Sequence, residues 1–196
     1  MKPLIYEKII NDPNISQEQK IQEEKYKKYI DNHKSKVIET WEELKKNKII
    51  YEYIITQSES KDIIEIINKN ILNHDNSKYE EEEWEPYRKT FYPINEEEKN
   101  KSKKEFSKAW KHHKKNNTHH HEHWEEINQN EKMPFYDVVE MCCDWISMSK
   151  VLRGTAINWY NQQKNIFLGQ KQKEWTLFIL KILMIFIFYL IKIIYF

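Results

Sequence analysis

The sequence predicts an all-α protein: a bundle of five or six helices that ends in an apolar C-terminal helix. Its 196 residues include only 2 glycines and 5 prolines, too few for the turns of an all-β protein. Long segments repeat apolar residues at steps of three and four, the period of one helical face. The segment from Trp175 to Phe196 is almost wholly apolar. We expect an N-terminal segment (1–15), a helical domain (16–168) and a C-terminal helix (169–196).

The first long helix is predicted from Gln17 to about Lys46. Ser16 and Gln19 have the spacing of a capping box at its start, and neither proline nor glycine interrupts it. One stripe contains Tyr26, Tyr29, Ile30, His33, Val37, Trp41 and Leu44. His33 therefore faces the interior, either as a core residue with a hydrogen-bond partner or as a metal ligand.

The next helix is predicted from Lys61 to Leu72 and is rich in isoleucine. His74 and Asp75 follow it, where their side chains can turn towards a cavity, although an Asp-Asn-Ser run is also a common helix exit. The acidic and aromatic segment from Tyr79 to Ile94 contains two prolines, and we predict an ordered loop with a solvated run of glutamates.

A histidine-rich region follows a helix predicted from Glu96 to Asn116, which carries His113 on its apolar stripe. The residues from Thr118 to His123 include four of the eight histidines. This stretch is either part of a metal site or a solvated, low-complexity loop.

Two further helices are predicted before the tail. One begins at Met133-Pro134 and runs to about Ser149, with Asp137, Glu140 and Asp144 on a common stripe. Gly154-Thr155 then breaks the chain before a short helix that contains Trp159-Tyr160. The apolar tail is long enough to cross a bilayer, with Lys171 and Lys173 as its cytoplasmic flank. The alternatives are a last helix packed on the bundle and a decayed end.

Charge and composition narrow the class of protein. The 32 basic and 31 acidic side chains leave a net charge of +1, which argues against binding of extended nucleic acid. Two glycines cannot form a glycine-rich phosphate loop. Cys142 and Cys143 are neighbours on a predicted helix and point in different directions, so a structural disulfide is not expected and we predict a reducing, cytoplasmic environment. The charged N-terminus does not resemble a signal peptide.

Four separated residues suggest a metal site: His33, the doublet His74-Asp75, and Asp144. Imidazole nitrogens and carboxylate oxygens that converge from different helices are typical ligands of a divalent transition metal, here Mn, Fe, Co, Ni or Zn. Glu140 lies one turn before Asp144 and would either hold a ligand histidine or lie on an exposed helix edge.

The order His, His-Asp, Asp resembles the HD-domain superfamily of metal-dependent phosphohydrolases. More closely, the chain resembles an uncharacterised family of small HD-like proteins from viral and bacterial genomes. The matching blocks are His74 to Lys78, Pro86-Tyr87, Ala109 to Trp124, and Met133-Pro134 with Glu140 to Trp145, followed by Asn158-Trp159-Tyr160. The resemblance covers about residues 30–165, and the apolar tail departs from it.

The resemblance implies one or two divalent ions. His33, His74, Asp75 and Asp144 would surround the first ion, and His113, His119 and His120 would serve the second. Asp75 and Lys78 would be catalytic, with Lys78 contacting a phosphate. The implied enzyme hydrolyses a phosphoester, such as a nucleotide or a small phosphorylated metabolite, through a metal-activated water. A di-iron oxygenase and a non-catalytic, membrane-tethered metal-binding protein remain open, as does the oligomeric state.

Overall fold

The computed structural model describes residues 5–128, 131–152, 155–163 and 169–195, and over these residues the protein is all-helical, with no strand. Side chains are described except at 150–152, 163 and 183–195. A 3₁₀ turn (Asn76–Tyr79) precedes α5, and a π-helical turn (His123–Ile127) precedes α7. The α-helices of the described residues are α1 (Ile5–Ile10), α2 (Gln17–Lys46), α3 (Lys48–Thr56), α4 (Ile63–Asn73), α5 (Glu81–Phe91), α6 (Glu96–Asn116), α7 (Phe135–Leu152), α8 (Ala156–Gln163) and α9 (Gln170–Tyr195).

The chain divides into two compact units, each with a hydrophobic core of its own. Unit 1 comprises the described part of Met1–Lys34 together with Asp75–Asn117. Unit 2 comprises Ser35–His74 and the described part of Thr118–Phe196. Helix α2 contributes its first part to unit 1 and its last turns to unit 2.

The core of unit 1 is small and aromatic. Around it lies a buried ion network in which the Arg88 guanidinium contacts Glu23 at 3.0 Å and binds Glu98 through two hydrogen bonds of 2.8 and 2.7 Å. The Trp84 indole also donates to Glu23, at 2.6 Å. Because each buried charge has a partner of opposite sign, the network avoids the large cost of an isolated buried ion. The buried core residues are Tyr26, Ile30, Trp84, Tyr87 and Ala109.

Unit 2 has a larger and mostly aliphatic core, and the beginning of α9 is part of it. Trp175, Ile179 and Leu180 are buried, whereas Lys181 is exposed. The Trp175 indole donates to Gln57 Oε1 at 3.0 Å, which ties the start of α9 to the end of α3. In its first three turns, α9 is therefore a packed helix with an exposed face.

Over the stretches the structure describes, we find no helix with both the length and the apolarity that a bilayer crossing requires. Phe196 lies outside the described residues, as do the side chains of 183–195, which form much of the predicted membrane segment.

Several predicted helices are confirmed. The Ser16 hydroxyl accepts a hydrogen bond of 3.1 Å from the Gln19 amide, as the capping pattern predicts. Helices α4, α6 and α7 lie within three residues of their predicted bounds. Thr155 caps α8 by accepting from the Asn158 amide at 3.2 Å, while the predicted break at Gly154 lies outside the described residues.

The predicted loop from Tyr79 to Ile94 is wrong, because α5 occupies most of it. Trp84, Tyr87 and Arg88 are buried on one face at helical spacing, and this burial outweighs the effect of Pro86 within the helix. The glutamates of the first turn favour helix because they lie at the positive end of its dipole. Glu83 is fully buried, so the glutamate run is not a uniformly solvated face.

Helix α3 was not predicted, and it brings the number of described α-helices above the expected five or six. Asn47 caps it by accepting hydrogen bonds from the amides of Ile49 and Ile50, at 3.1 and 3.2 Å. Ile50 and Ile54, one turn apart, are buried in the core of unit 2. Asn47 alone therefore separates α2 from α3, and α3 is too short to be recognised from a long apolar stripe.

Candidate metal centres

The turn after α4 displays the central doublet. His74 caps α4, and Asp75 then adopts a left-handed backbone conformation with φ 55°. Among the described residues other than glycine, Asp75 is the one with positive φ. Aspartate tolerates this conformation better than most residues but still at some cost. Strained backbone of this kind concentrates at functional sites, which makes Asp75 a functional candidate.

In unit 1, the Asp75 carboxylate is the centre of a buried polar cluster. Its Oδ2 atom lies 3.4 Å from His33 Nε2, and its Oδ1 atom lies 3.3 Å from His113 Nε2. The Lys78 ammonium contacts Oδ2 at 2.6 Å. We call Asp75, His33, His113, Lys78 and Glu83 the Asp75 cluster. Two imidazoles and a cation thus approach one carboxylate from different elements, and this brings together His33 and Asp75, which were predicted as ligands of one ion.

Glu83 orients the histidines at the end of α6. Its Oε2 atom lies 2.8 Å from His113 Nδ1, and its Oε1 atom lies 2.8 Å from His112 Nδ1. A carboxylate on Nδ1 holds the ring and directs Nε2 to the opposite side, here towards Asp75. His113, Glu83 and Asp75 are almost completely buried, whereas His112 is half-buried. The arrangement is that of a metal-ligand histidine backed by an acid.

Charge affects the protonation of His113. Burial lowers its pKa, but the carboxylates of Asp75 and Glu83 outweigh burial, so the pKa lies above its ordinary value. A proton on this ring competes with any metal ion for Nε2. Metal binding at this histidine should therefore release a proton.

In unit 2, a second cluster forms around Glu140. Its Oε1 atom lies 2.8 Å from His74 Nδ1 and 3.0 Å from His119 Nδ1. The other nitrogen of His74, Nε2, lies 3.9 Å from Asp144 Oδ1. We call His74, His119, Glu140, Asp144 and Asp137 the Glu140 cluster. Glu140 is buried rather than placed on an exposed helix edge, and it holds a predicted ligand histidine as one of the two sequence interpretations had it.

The carboxylates of α7 differ strongly in pKa. Burial raises the pKa of Asp137 to about 7, although Thr118 donates a hydrogen bond to it at 2.9 Å. Burial acts in the same direction on Glu140, but His119 and His74 reverse its effect and lower the pKa of Glu140 to about 2. Near neutral pH, Glu140 is therefore ionised while Asp137 is partly protonated.

The donor chemistry of both clusters fits a divalent transition metal. Ligand atoms about 2.1 Å from one ion lie about 3.0–3.4 Å apart at tetrahedral or octahedral angles, and about 4.2 Å apart when opposite. The His33–Asp75 and His113–Asp75 distances of 3.4 and 3.3 Å agree with the first range. The 3.9 Å between His74 Nε2 and Asp144 Oδ1 is longer than this range but shorter than the distance of about 4.2 Å between opposite ligands. Atoms of His74, His119 and Glu140 also lie within 4.8 Å of one another, close enough to share an ion.

His120, the remaining predicted ligand, lies in the histidine-rich stretch from His119 to His123. The rings of His119 and His120 lie 4.3 Å apart, so His120 is next to the Glu140 cluster within unit 2. His121 and His123 are buried, and His121 Nδ1 lies 3.0 Å from Glu125. This stretch is an ordered, buried segment and not a solvated loop.

Sequence reasoning missed Glu83 and the contact of His119 with Glu140. The available signal for Glu83 was its position one residue before Trp84 in a segment with helical spacing. If that segment is read as a helix, Glu83 lies beside the buried face formed by Trp84, Tyr87 and Arg88. The His119 contact has no local signal, because 21 positions separate the two residues in the chain.

The fold and these clusters define the protein as an all-α protein with buried histidine and carboxylate groups suited to binding divalent metal. The chain belongs to a family of unknown function, DUF5662, whose model matches residues 22–183. No curated protein and no solved structure matches the chain. The matched range includes every residue of the Asp75 and Glu140 clusters.

Proposed function

We propose that this protein is a metal-dependent hydrolase of a phosphoester, with an HD-like site and a nucleotide or small phosphorylated metabolite as substrate. One observation carries the proposal. The two oxygens of the Asp75 carboxylate face the Nε2 atoms of His33 and His113 at 3.4 and 3.3 Å, with the Lys78 ammonium 2.6 Å away. Metal-ligand chemistry and a phosphate-binding cation are thus adjacent.

The ligand set favours one or two ions of Mn, Fe, Co, Ni or Zn. Imidazole nitrogens suit these metals, whereas Mg and Ca prefer oxygen ligands alone. In the proposed site, His33, Asp75 and His113 bind metal in unit 1, and His74, His119 and Asp144 bind metal in unit 2. His120 is proposed as a further ligand. The prediction that His33, His74, Asp75 and Asp144 surround a single ion remains a prediction.

Each residue has a distinct part in the proposed reaction. A divalent ion bound by these ligands would supply a nucleophilic water near neutral pH and polarise a phosphoryl oxygen. Glu83 and Glu140 hold the ligand imidazoles in the orientation that binding requires. Lys78 binds the phosphoryl oxygens and offsets the negative charge that accumulates on them during the reaction.

Two other functions use the same residues. A di-iron HD-like oxygenase would need the same histidines and carboxylates, and a membrane-tethered protein could keep a metal for structure alone. The first would show bound iron and consumption of oxygen without turnover of phosphoesters. The second would show stoichiometric metal, loss of the fold on chelation, and no turnover of either kind.

The test is metal analysis of the full chain, combined with a screen of nucleotides and other phosphoesters. We expect bound transition metal and hydrolysis in the wild type, and loss of both in His74→Ala and Asp75→Ala. Activity should fall at least about a hundredfold, because loss of a ligand should cost at least as much as loss of the groups that orient it, which is about 10–100-fold. Asn73→Ala is the matched control, because its exposed side chain directly precedes the doublet and donates a hydrogen bond of 2.8 Å to the Lys69 carbonyl.

Full metal content in either the His74 or the Asp75 variant would contradict the proposed ligands. Bound metal in the wild type without hydrolysis of any phosphoester would contradict the proposed reaction and leave the ligands in place. Circular dichroism of each variant separates loss of metal from loss of fold.

A further inference from the structure

We propose that Lys34 and Lys78 together form a subsite for the phosphoryl group of a phosphomonoester, next to the Asp75 carboxylate in unit 1. This inference rests on the proposed function and names its substrate class. Lys78 alone was predicted from the sequence to contact phosphate. The structure adds Lys34, which follows the predicted ligand His33 in α2.

Lys34 is held in position by the 3₁₀ turn. It is half-buried, its ammonium donates a hydrogen bond to Asn76 Oδ1, and the same ammonium lies 5.5 Å from the centre of the Tyr79 ring. Asn76 and Tyr79 are the first and last residues of that turn. A lysine fixed by an amide oxygen and an aromatic face loses less side-chain entropy on binding an anion than a mobile surface lysine does.

Lys78 lies within the same 3₁₀ turn, and its partner Asp75 directly precedes Asn76, the partner of Lys34. Its ammonium contacts Asp75 at 2.6 Å and lies 5.8 Å from the centre of the Tyr87 ring. The pKa of Lys34 lies below its ordinary value, because burial together with the charge of Lys78 outweighs the opposite effect of the Asp75 and Asp31 carboxylates. The Lys34 ammonium therefore interacts electrostatically with both the Lys78 ammonium and the Asp75 carboxylate.

The balance of charge indicates the ligand. Asp75 offsets part of the positive charge of the two lysines. A divalent ion bound at Asp75 would add further positive charge beside both ammonium groups and so strengthen the local attraction for an anion. A phosphomonoester carries a charge of about −1.5 to −2 at neutral pH, whereas a diester carries about −1. Two adjacent cations therefore favour the monoester by Coulomb attraction.

Calorimetric titration of the full chain with inorganic phosphate tests the subsite without requiring turnover. We expect Lys34→Met and Lys78→Met each to weaken phosphate binding about tenfold, the effect of losing one charge-assisted hydrogen bond. Lys34→Arg keeps the charge and should stay within about threefold of the wild type. Lys28→Met, an exposed position on the same helix, should bind phosphate as the wild type does. No phosphate binding by the wild type, or equal binding by the Lys34→Met and Lys28→Met variants, would overturn the inference.

Substrate kinetics separate this inference from the proposed function. We expect Lys34→Met to raise KM for phosphomonoesters about tenfold and to reduce the preference for monoesters over diesters. If the wild type hydrolyses monoesters and Lys34→Met leaves KM unchanged, the inference fails while the proposed function stands. If phosphate binding depends on Lys34 but no phosphoester is hydrolysed, the proposed function fails and the subsite stands.

Discussion

Both units hold a buried histidine between a glutamate and an aspartate. In unit 1, His113 has Glu83 at 2.8 Å on Nδ1 and Asp75 at 3.3 Å on Nε2. In unit 2, His74 has Glu140 at 2.8 Å on Nδ1 and Asp144 at 3.9 Å on Nε2. In both units, the glutamate therefore fixes the orientation of the imidazole ring, and the aspartate lies beside the ring nitrogen that is proposed to bind metal.

The two clusters differ in the charge that surrounds this arrangement. The Asp75 cluster includes the Lys78 ammonium, whereas the Glu140 cluster includes Asp137, a carboxyl group with a pKa of about 7. Glu83 uses separate oxygens for its two histidines, but Glu140 uses one oxygen for both. Under the proposed function, the Asp75 cluster would contact the anionic substrate, whereas the Glu140 cluster would bind metal tightly.

The largest expected effect concerns Asp137 in the metal-free chain. Its pKa is raised from 3.8 to about 7, so the folded state binds a proton more tightly than the unfolded state does. The resulting stability is fully present below about pH 4 and is lost as the pH rises through 7. Asp137→Asn does not titrate. It should match the wild type near pH 4 and exceed its unfolding free energy by on the order of 4 kcal/mol near pH 8.

Urea denaturation of the chelated protein at several pH values measures this difference. Asp62→Asn is the control, because Asp62 is an exposed aspartate of the same unit. A constant difference between the wild type and Asp137→Asn from pH 4 to 8 would show that Asp137 titrates normally. The two clusters would then no longer differ through a carboxyl group of raised pKa.

The next effect tests whether the two glutamates have the same role. Glu83→Gln and Glu140→Gln should each weaken metal binding about 10–100-fold, as loss of a carboxylate behind a ligand histidine does. Glu140→Gln should have the larger effect, because one oxygen of Glu140 orients two imidazoles. Competition with a chromogenic chelator measures the affinities.

Glu81→Gln and Glu131→Gln serve as controls, since both side chains are exposed and each lies in the same unit as its counterpart. Unchanged affinity in Glu83→Gln combined with a large loss in Glu140→Gln would restrict metal binding to unit 2. The reverse result would restrict it to unit 1.

The smallest expected effect tests the difference in charge between the two clusters. Lys78→Met removes a cation 2.6 Å from Asp75, which reduces the repulsion that a metal ion meets there. Metal affinity should rise by about threefold to tenfold, since the contact is only partly exposed to solvent. Lys28→Met should leave the affinity unchanged. Weaker metal binding in Lys78→Met would mean that the lysine supports the cluster rather than opposing the ion.

The sequence predicts helices where apolar stripes are long and uninterrupted. Helix α2 was predicted at the bounds observed, because its stripe and its Ser16 cap are local features. Helix α5 was not, because Pro86 and the glutamate run disfavour helix locally, and burial of Trp84 and Tyr87 in the core overrides them. Helix length follows from local pattern, whereas burial of an unusual segment follows from its neighbours in space.

The candidate site, like the fold, was predicted only where the signal is local in the sequence. Residue types and helical faces identified His33, the doublet, and Asp144 before any distance was known. The pairing of Glu83 with His113, across 30 positions, is a tertiary contact that a single sequence does not encode in any local signal. The sequence therefore identified candidate ligands, and it could not predict which carboxylate holds which ring.

The left-handed backbone at Asp75 implies a conflict between folding and chemistry at this position. Asparagine or glycine would adopt φ 55° with less strain than aspartate does. Either replacement would also remove the carboxylate that contacts the Lys78 ammonium at 2.6 Å, so relief of backbone strain and loss of a buried charge pair act on stability in opposite directions. Residue 75 is therefore a position where the backbone favours one side chain and its buried polar surroundings favour another.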